Sequence, residues 1–146
     1  MAFNQRVAGL AILAALAGAG LSLVAQSGNT YKARLSAVPA DAKTRADLAG
    51  IGSATDVLAG SKLTITGSFE GLKTPATVAR LHSAVAAGVR GPAFQDLTIS
   101  KATTGTISGS ADLTPPQLEN LSHGGIYIQI HSEKAPDGVL WGWLVR

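Results

Sequence analysis

The stretch KLTITGSFEG, residues Lys62 to Gly71, carries the pattern that decides the fold of this chain. Its apolar side chains Leu63, Ile65 and Phe69 fall on one side of an extended strand, and the polar residues between them fall on the other. A period of two residues is typical of a β-strand with one buried and one solvated face. The pattern therefore predicts a strand that covers a hydrophobic core.

Similar short segments lie on both sides of this one, and turns containing glycine or proline separate most of them. The predicted strands are residues 31–38, 53–58, 62–71, 77–83, 94–100, 104–113, 126–132 and 138–145. One short helix is predicted after Thr114, which can cap it, with Pro115 in the first turn and Gly124 at its end. Residues 40–52 contain helix formers and leave open a short helix within a long loop. Seven or eight short strands with one helix predict an all-β domain, an antiparallel sandwich or barrel.

The first 25 residues differ in composition from the rest of the chain. Arg6 is their only charged residue, and the 19 residues from Val7 to Ala25 are apolar or small. Such a segment is typical of an export signal, and its length also suits an uncleaved membrane anchor. We therefore predict a signal peptide or anchor at residues 1–25, a tether at 26–30 and a β-domain at 31–146. The predicted location is periplasmic or extracellular, with membrane association only if the N-terminal segment is retained.

Composition and motifs exclude several classes of function. The 12 Lys and Arg and 9 Asp and Glu are spread without runs, whereas nucleic-acid-binding proteins have clustered basic faces. The lack of cysteine excludes a disulfide frame, a thiolate metal site and a cysteine nucleophile. The sequence has no nucleophile elbow, phosphate loop or dinucleotide fingerprint, and its carboxylates are scattered. These features favour a non-catalytic protein without an organic cofactor.

Three histidines are candidate metal ligands. His82 and His131 each lie near the end of a predicted strand, and His123 lies at the end of the predicted helix. A copper or zinc site needs imidazoles that converge in one small volume, which a linear pattern does not show. Each histidine also has a structural interpretation, as a strand-end residue bonded to the backbone or, for His123, as a cation stabilised by the helix dipole. The residues by themselves leave both interpretations open.

Two segments resemble the CHRD domain, first described in chordin and common in exported bacterial proteins. They are ARLHSAVAAGVRGPAF, residues 79–94, and LTPPQLENLSHGGIYIQIHSEKAPDGVLWGWL, residues 113–144, and the resemblance extends over about residues 31–144. It implies an all-β, sandwich-like domain. The paired histidines of the family resemble the metal-binding arrangement of copper-zinc superoxide dismutases.

This chain departs from the family pattern at the first histidine pair. Arg80 replaces the first histidine of the family's His-x-His, so that His82 alone remains of the pair, while His131 matches the strand-end histidine. A guanidinium is permanently cationic and cannot bind a metal ion. The resemblance therefore implies metal-dependent catalysis less strongly here than in relatives with both histidines. A two-histidine site, or one completed by His123, stays open.

The last predicted strand differs from the family in its tryptophans. If Leu140 and Leu144 face the core, as the matching family positions do, Trp141 and Trp143 lie on the face that is usually polar. Tryptophan is enriched at the centres of protein interfaces. The predicted partner interface comprises Val139, Trp141, Trp143 and Tyr127. The alternative is that the segment containing Leu48, Ile51 and Val57 folds over both rings.

Two functions follow from these patterns. The first is an exported, non-catalytic accessory subunit that docks on a larger periplasmic or membrane-associated protein complex, for example a dehydrogenase complex. The second is a periplasmic protein that binds copper or zinc through His82, His131 and His123 and has redox activity like that of superoxide dismutase.

Overall fold

The computed structural model of the protein describes residues 28–146, and the predicted signal segment lies outside them. Within these residues, eight β-strands close into a barrel and one helix lies between the sixth and seventh strands. The elements are β1 (Asn29–Ala37), β2 (Ile51–Ala59), β3 (Lys62–Glu70), β4 (Ala76–Ser83), β5 (Ala93–Ile99), β6 (Gly105–Asp112), α1 (Pro115–Ser122), β7 (Ile126–Ser132) and β8 (Leu140–Trp143). The predicted all-β class is confirmed, and the architecture is the barrel.

The strands follow the order β1-β2-β3-β6-β5-β4-β7-β8 around the barrel, and all neighbours are antiparallel. The β1–β8 seam closes the barrel with two paired positions, Ser36 with Trp141 and Ala37 with Leu140, and an isolated bridge joins Lys32 to Val145. A closed barrel pairs each strand on both sides and so exposes no free sheet edge. The seam between β1 and β8 is nevertheless much shorter than the β1–β2 and β2–β3 ladders.

The barrel interior is filled by the alternating apolar residues that the sequence pattern marks. Leu63, Ile65 and Phe69 are all buried, whereas the residues between them are exposed or half-buried. Strand β7 contributes Ile126, Ile128 and Ile130, which are fully buried in the same core. Burial of these side chains supplies the main driving force for folding.

The helix caps form as predicted. The Thr114 hydroxyl accepts a hydrogen bond from the backbone of Gln117, and the Gln117 side chain accepts one from the backbone of Thr114. Pro115 occupies the first helical position, and Gly124 follows the helix with a φ of 75°. This capping box satisfies backbone donors that a helix start leaves free.

Residues 40–52 form turns and the start of β2 rather than a regular helix. The Asp41 carboxylate accepts hydrogen bonds from the backbone N–H groups of Lys43 and Thr44, both at 2.8 Å. These bonds lower the pKa of Asp41 and give the backbone an alternative to helical pairing. Strand β1 begins at Asn29, within the predicted tether of residues 26–30.

Among residues 28–146, no helix combines the length and the apolar character that crossing a membrane requires.

Candidate functional site

The predicted histidines and aromatic residues of the last strands meet outside the barrel, on the sheet formed by β4, β7 and β8. Because Ile126, Ile128 and Ile130 point inward, the alternate residues of β7, Tyr127 and His131, lie on the opposite face. Tyr127 is paired with His82 on β4 and with Trp143 on β8, and Trp141 is the next outward residue of β8. We call the set His82, Tyr127, His131, Trp141 and Trp143 the outer aromatic face.

The rings of the outer aromatic face lie in a continuous row of neighbours. The centroids of His82 and Tyr127 are 4.7 Å apart with an interplanar angle of 19°, and those of Tyr127 and Trp143 are 4.8 Å apart. Trp143 meets Trp141 edge to face at 4.6 Å, and the Arg90 guanidinium lies 5.4 Å from the centre of the Trp141 ring. Aromatic and cation–π contacts of this geometry stabilise packing beyond the area they bury.

A loop of residues 84–92, the covering loop, closes over this face. The Tyr127 hydroxyl accepts a hydrogen bond from the backbone N–H of Gly91 at 3.1 Å and donates to the Gly91 carbonyl at 3.3 Å. Arg90 donates to the carbonyl oxygen of Asp137 at 3.3 Å. Tyr127 is therefore fully buried although it lies outside the barrel. The face is a small second core, anchored by polar contacts to the loops around it.

Both imidazoles are held in the same way by backbone carbonyl groups. His82 Nδ1 lies 2.8 Å from the carbonyl oxygen of Gly91, and His131 Nδ1 lies 2.7 Å from that of Pro136. A carbonyl oxygen only accepts, so each Nδ1 carries the proton and donates it. In the neutral ring, Nε2 then has a free lone pair, which is the tautomer of histidines that bind a metal through Nε2.

The two Nε2 atoms are buried and have no hydrogen-bond partner. Their rings have centroids 6.5 Å apart. Burial lowers the pKa of His82, although the bond to Gly91 acts in the opposite direction, and the nearby charges of His131, Arg80 and Arg90 lower it further. The structure thus places two partnerless ring nitrogens near each other, and the surroundings of His82 favour its neutral form.

His123 occupies a different position. It is the exposed C-cap residue of α1, and its backbone N–H contacts the carbonyls of the last helical turn. In the part of the chain that the structure describes, no group of three or more His, Cys, Asp or Glu side chains could hold a metal ion. Arg80, at the position of the family's first histidine, is paired with Asp96 through its Nε at 2.8 Å.

The last strand has two faces. Leu140 and Leu144 are fully buried in the core, as expected, and Trp141 and Trp143, predicted for the interface, lie half-buried on the other face. Tyr127, also predicted for the interface, is instead fully buried. Val139 differs from the expectation because it is fully buried in the core. It precedes β8 and follows Gly138, whose φ of 123° interrupts the extended backbone, so the strand alternation does not reach it.

The cover over the tryptophans also differs from the alternative that the sequence suggested. Ile51 and Val57 are exposed, and Leu48 packs against the barrel core. The contacts over the outer aromatic face come instead from the covering loop, through Arg90 and Gly91.

Sequence reasoning missed Gln129, which lies between Tyr127 and His131 on the outer side of β7. Its side chain is buried, and its amide donates to the carbonyl oxygen of Asp137 at 2.9 Å. A Cβ at Gly138 would overlap this amide, so the Asp137–Gly138 turn and Gln129 fit together closely. A glutamine within the apolar run IYIQIHS was the available signal, because a buried amide needs a nearby partner.

The model of the CHRD domain family matches residues 31–144. The chain belongs to the CHRD domain family. This match confirms the resemblance seen in residues 79–94 and 113–144, and it spans the barrel together with His82, His131 and both tryptophans. Neither the comparison with curated proteins nor the comparison with solved structures returned a match.

Proposed function

We propose that this CHRD domain binds copper through His82 and His131 on its outer aromatic face. The observation that carries the proposal is the pair of buried Nε2 atoms without partners, on rings whose Nδ1 atoms are fixed by backbone carbonyls. An unsatisfied buried polar group costs about 1–3 kcal/mol. Two such groups on neighbouring rings are more readily explained as ligands of one ion than as packing residues.

The ring geometry is close to that of a shared ion. At a metal–nitrogen distance of about 2.0–2.1 Å, two imidazoles on one ion have centres roughly 5–6 Å apart. The observed centroid distance is 6.5 Å, slightly longer than this range. The carbonyl groups of Gly91 and Pro136 orient the two rings, and such second-shell bonds strengthen metal binding.

The ligand set favours copper over zinc. Zinc sites in proteins have four protein ligands when structural and three when catalytic, whereas this pair supplies two nitrogens. The affinity of a given site for divalent ions is greater for copper than for zinc. The positive charges of Arg80 and Arg90, which act on His82, favour the monovalent ion over the divalent one.

The residues around the pair would control the ion's surroundings. The covering loop limits access of water to His82, and Tyr127 stacked on the His82 ring holds that ring in place. Bound copper would supply one-electron redox chemistry, and any activity towards superoxide would depend on this binding.

Copper titration of the purified protein tests the proposal. We expect one copper(I) ion per chain in competition with a chromogenic chelator, and at least tenfold weaker binding in His82→Ala and His131→Ala. His123→Ala is the matched control and is expected to bind as the unaltered protein does. Absence of stoichiometric copper binding, or unchanged binding in His131→Ala, would contradict the proposal.

A second proposed function is docking of an exported accessory subunit on a larger periplasmic or membrane-associated protein. It is supported by the half-buried rings of Trp141 and Trp143, and by two exposed apolar residues on the covering loop, Val85 and Val89. Exposed apolar residues near aromatic rings are typical of contact surfaces.

The test of docking uses the two valines, since replacing the tryptophans would also remove the packing around Tyr127. We expect Val85→Asp with Val89→Asp to abolish stoichiometric co-purification of a partner from native periplasm and membranes. Val57→Asp, at an exposed position on β2, is the control and should keep the partner. Equal recovery of the partner with all variants would count against this surface.

A further inference from the structure

Asp56 is a buried acid inside the barrel. On β2, Ala54 and Asp56 point inward and are buried, whereas Thr55 and Val57 between and after them are exposed. Both carboxyl oxygens of Asp56 are buried and lack a hydrogen-bond partner. Among residues 28–146, it is the only Asp, Glu, Lys or Arg whose side chain is buried. An isolated buried carboxyl group of this kind requires a physical explanation.

The neighbours of Asp56 offer no compensating charge. Its paired residues are Tyr31 on β1 and Ile65 on β3. The Tyr31 hydroxyl accepts a hydrogen bond from Arg146 at 3.2 Å, with the guanidinium 5.2 Å from the ring centre. The charged residues on the elements that pack against β2 are all exposed: Lys32 and Arg34 on β1, Lys62 and Glu70 on β3, and Arg146 after β8.

An ionised carboxylate in such surroundings loses its hydration without gaining a cation or a donor. The neutral acid loses much less, so the folded domain retains the proton. In agreement with this geometry, burial raises the pKa of Asp56 from 3.8 to about 7. Among the other Asp, Glu, His, Lys and Arg side chains of residues 28–146, only His82 is buried, and it lies outside the barrel, on β4.

We propose that Asp56 is a pH-sensitive element of the barrel, neutral in the closed fold, whose ionisation loosens the side formed by β1, β2 and β3. The carboxylate would gain water most readily by opening the β1–β8 seam, which has only two paired positions and one bridge. This property is independent of copper binding. Asp56 lies inside the barrel, whereas His82 and His131 lie on its outer face.

The sign of the pH dependence follows from proton linkage. The folded state holds the Asp56 proton up to a pKa of about 7, whereas the unfolded chain releases it near 3.8. Folding stability is therefore greatest below the unfolded pKa and is lost as the pH rises through the folded one. His82 acts in the opposite direction, because its pKa is lowered in the folded state, and its effect cancels when Asp56 variants are compared.

Denaturant unfolding of the metal-free full chain between pH 4 and pH 8 tests this proposal. Relative to Asp56→Asn, the unfolding equilibrium constant of the unaltered protein is expected to rise roughly three hundredfold between pH 4 and pH 7. Asp112→Asn is the matched control, because Asp112 is exposed on β6, and it should keep the pH dependence of the unaltered protein. The same pH dependence in Asp56→Asn and in the unaltered protein would overturn the proposal.

Two further measurements keep the test decisive. If Asp56→Asn does not fold, Asp56→Leu replaces it, since leucine has a similar size and no polar atoms. Amide-exchange protection of β1, β2 and β3 is expected to fall more than that of β4 and β7 when the pH rises from 5 to 8, and to fall less in the variant. A carboxyl carbon titration of Asp56 with an ordinary aspartate midpoint would contradict the inference directly.

Discussion

The barrel interior and the outer aromatic face both contain buried polar atoms without partners, but their surroundings differ. Asp56 is the only charged residue type on the inner wall, and its carboxyl oxygens receive no hydrogen bond and face no opposite charge. His82 and His131 form a pair, and each ring is oriented by a backbone carbonyl. An isolated group can lower its free energy only by staying neutral, whereas a converging pair can bind an ion. The two regions should therefore respond to pH in opposite directions.

The largest expected effect concerns the interior. At pH 8, Asp56→Leu should stabilise the protein by about 4 kcal/mol relative to the unaltered protein. The substitution removes a carboxyl group whose pKa is 3.8 in the unfolded chain and about 7 in the folded one, so that its ionisation favours unfolding. At pH 4 the gain should be much smaller, because the native acid is already neutral. Denaturant midpoints at the two pH values measure the difference. Equal gains at both would show that packing, and not ionisation, sets the effect.

A smaller effect is expected at Gly138, in the turn beside the outer aromatic face. Gly138→Ala should cost about 2–4 kcal/mol in the free energy of unfolding, because φ is 123° and the new Cβ would overlap the Gln129 amide. The same change should weaken copper binding, since the turn also carries the Pro136 carbonyl bonded to His131.

Gly60→Ala is the matched control for this substitution. Gly60 also has a positive φ, 62°, but a Cβ there would meet no atom within 4 Å. Its cost should be limited to about 1 kcal/mol of backbone strain, with copper affinity unchanged. Thermal unfolding and copper titration of both variants measure the contrast. Equal losses of copper affinity would show that the turn at Gly138 does not support the histidine pair.

The smallest expected effect is the pH dependence of copper binding. Because burial lowers the pKa of His82, protons compete for its Nε2 only below the ordinary imidazole range. Copper affinity should therefore fall less than about threefold between pH 8 and pH 6.5 and decline further below it. Competition titrations at several pH values measure this. A tenfold loss already at pH 6.5 would contradict the lowered pKa of His82.

Much of the fold could be predicted because its signals are local. The alternation in residues 62–71 predicted β3, and Thr114, Pro115 and Gly124 predicted the helix caps. The same alternation placed Leu140 and Leu144 in the core. It failed at Val139, because a positive φ at Gly138 changes the direction of the chain just before the strand.

The candidate site could be predicted only in part. His82 and His131 were recognised as candidate ligands from their residue type and from the family pattern, but their approach depends on the pairing of β4 with β7. The covering loop was not predicted to cover the tryptophans, because its contacts join residues far apart in the chain. In the sequence, Asp56 does not differ from a solvent-exposed polar residue within a strand. Only the closed barrel shows that its side chain faces the interior.

The sequence alone determined the strands, the helix caps and the family, since periodicity and turn chemistry act between residues close in the chain. Tertiary structure alone decided which two imidazoles meet, which loop encloses Tyr127 and why one carboxyl group is isolated. These features depend on strand register and barrel closure. Closure determines which side chains face the interior and which face outward. The chemistry of a buried polar atom depends on those distant neighbours, and for that reason its role is set only when the barrel has formed.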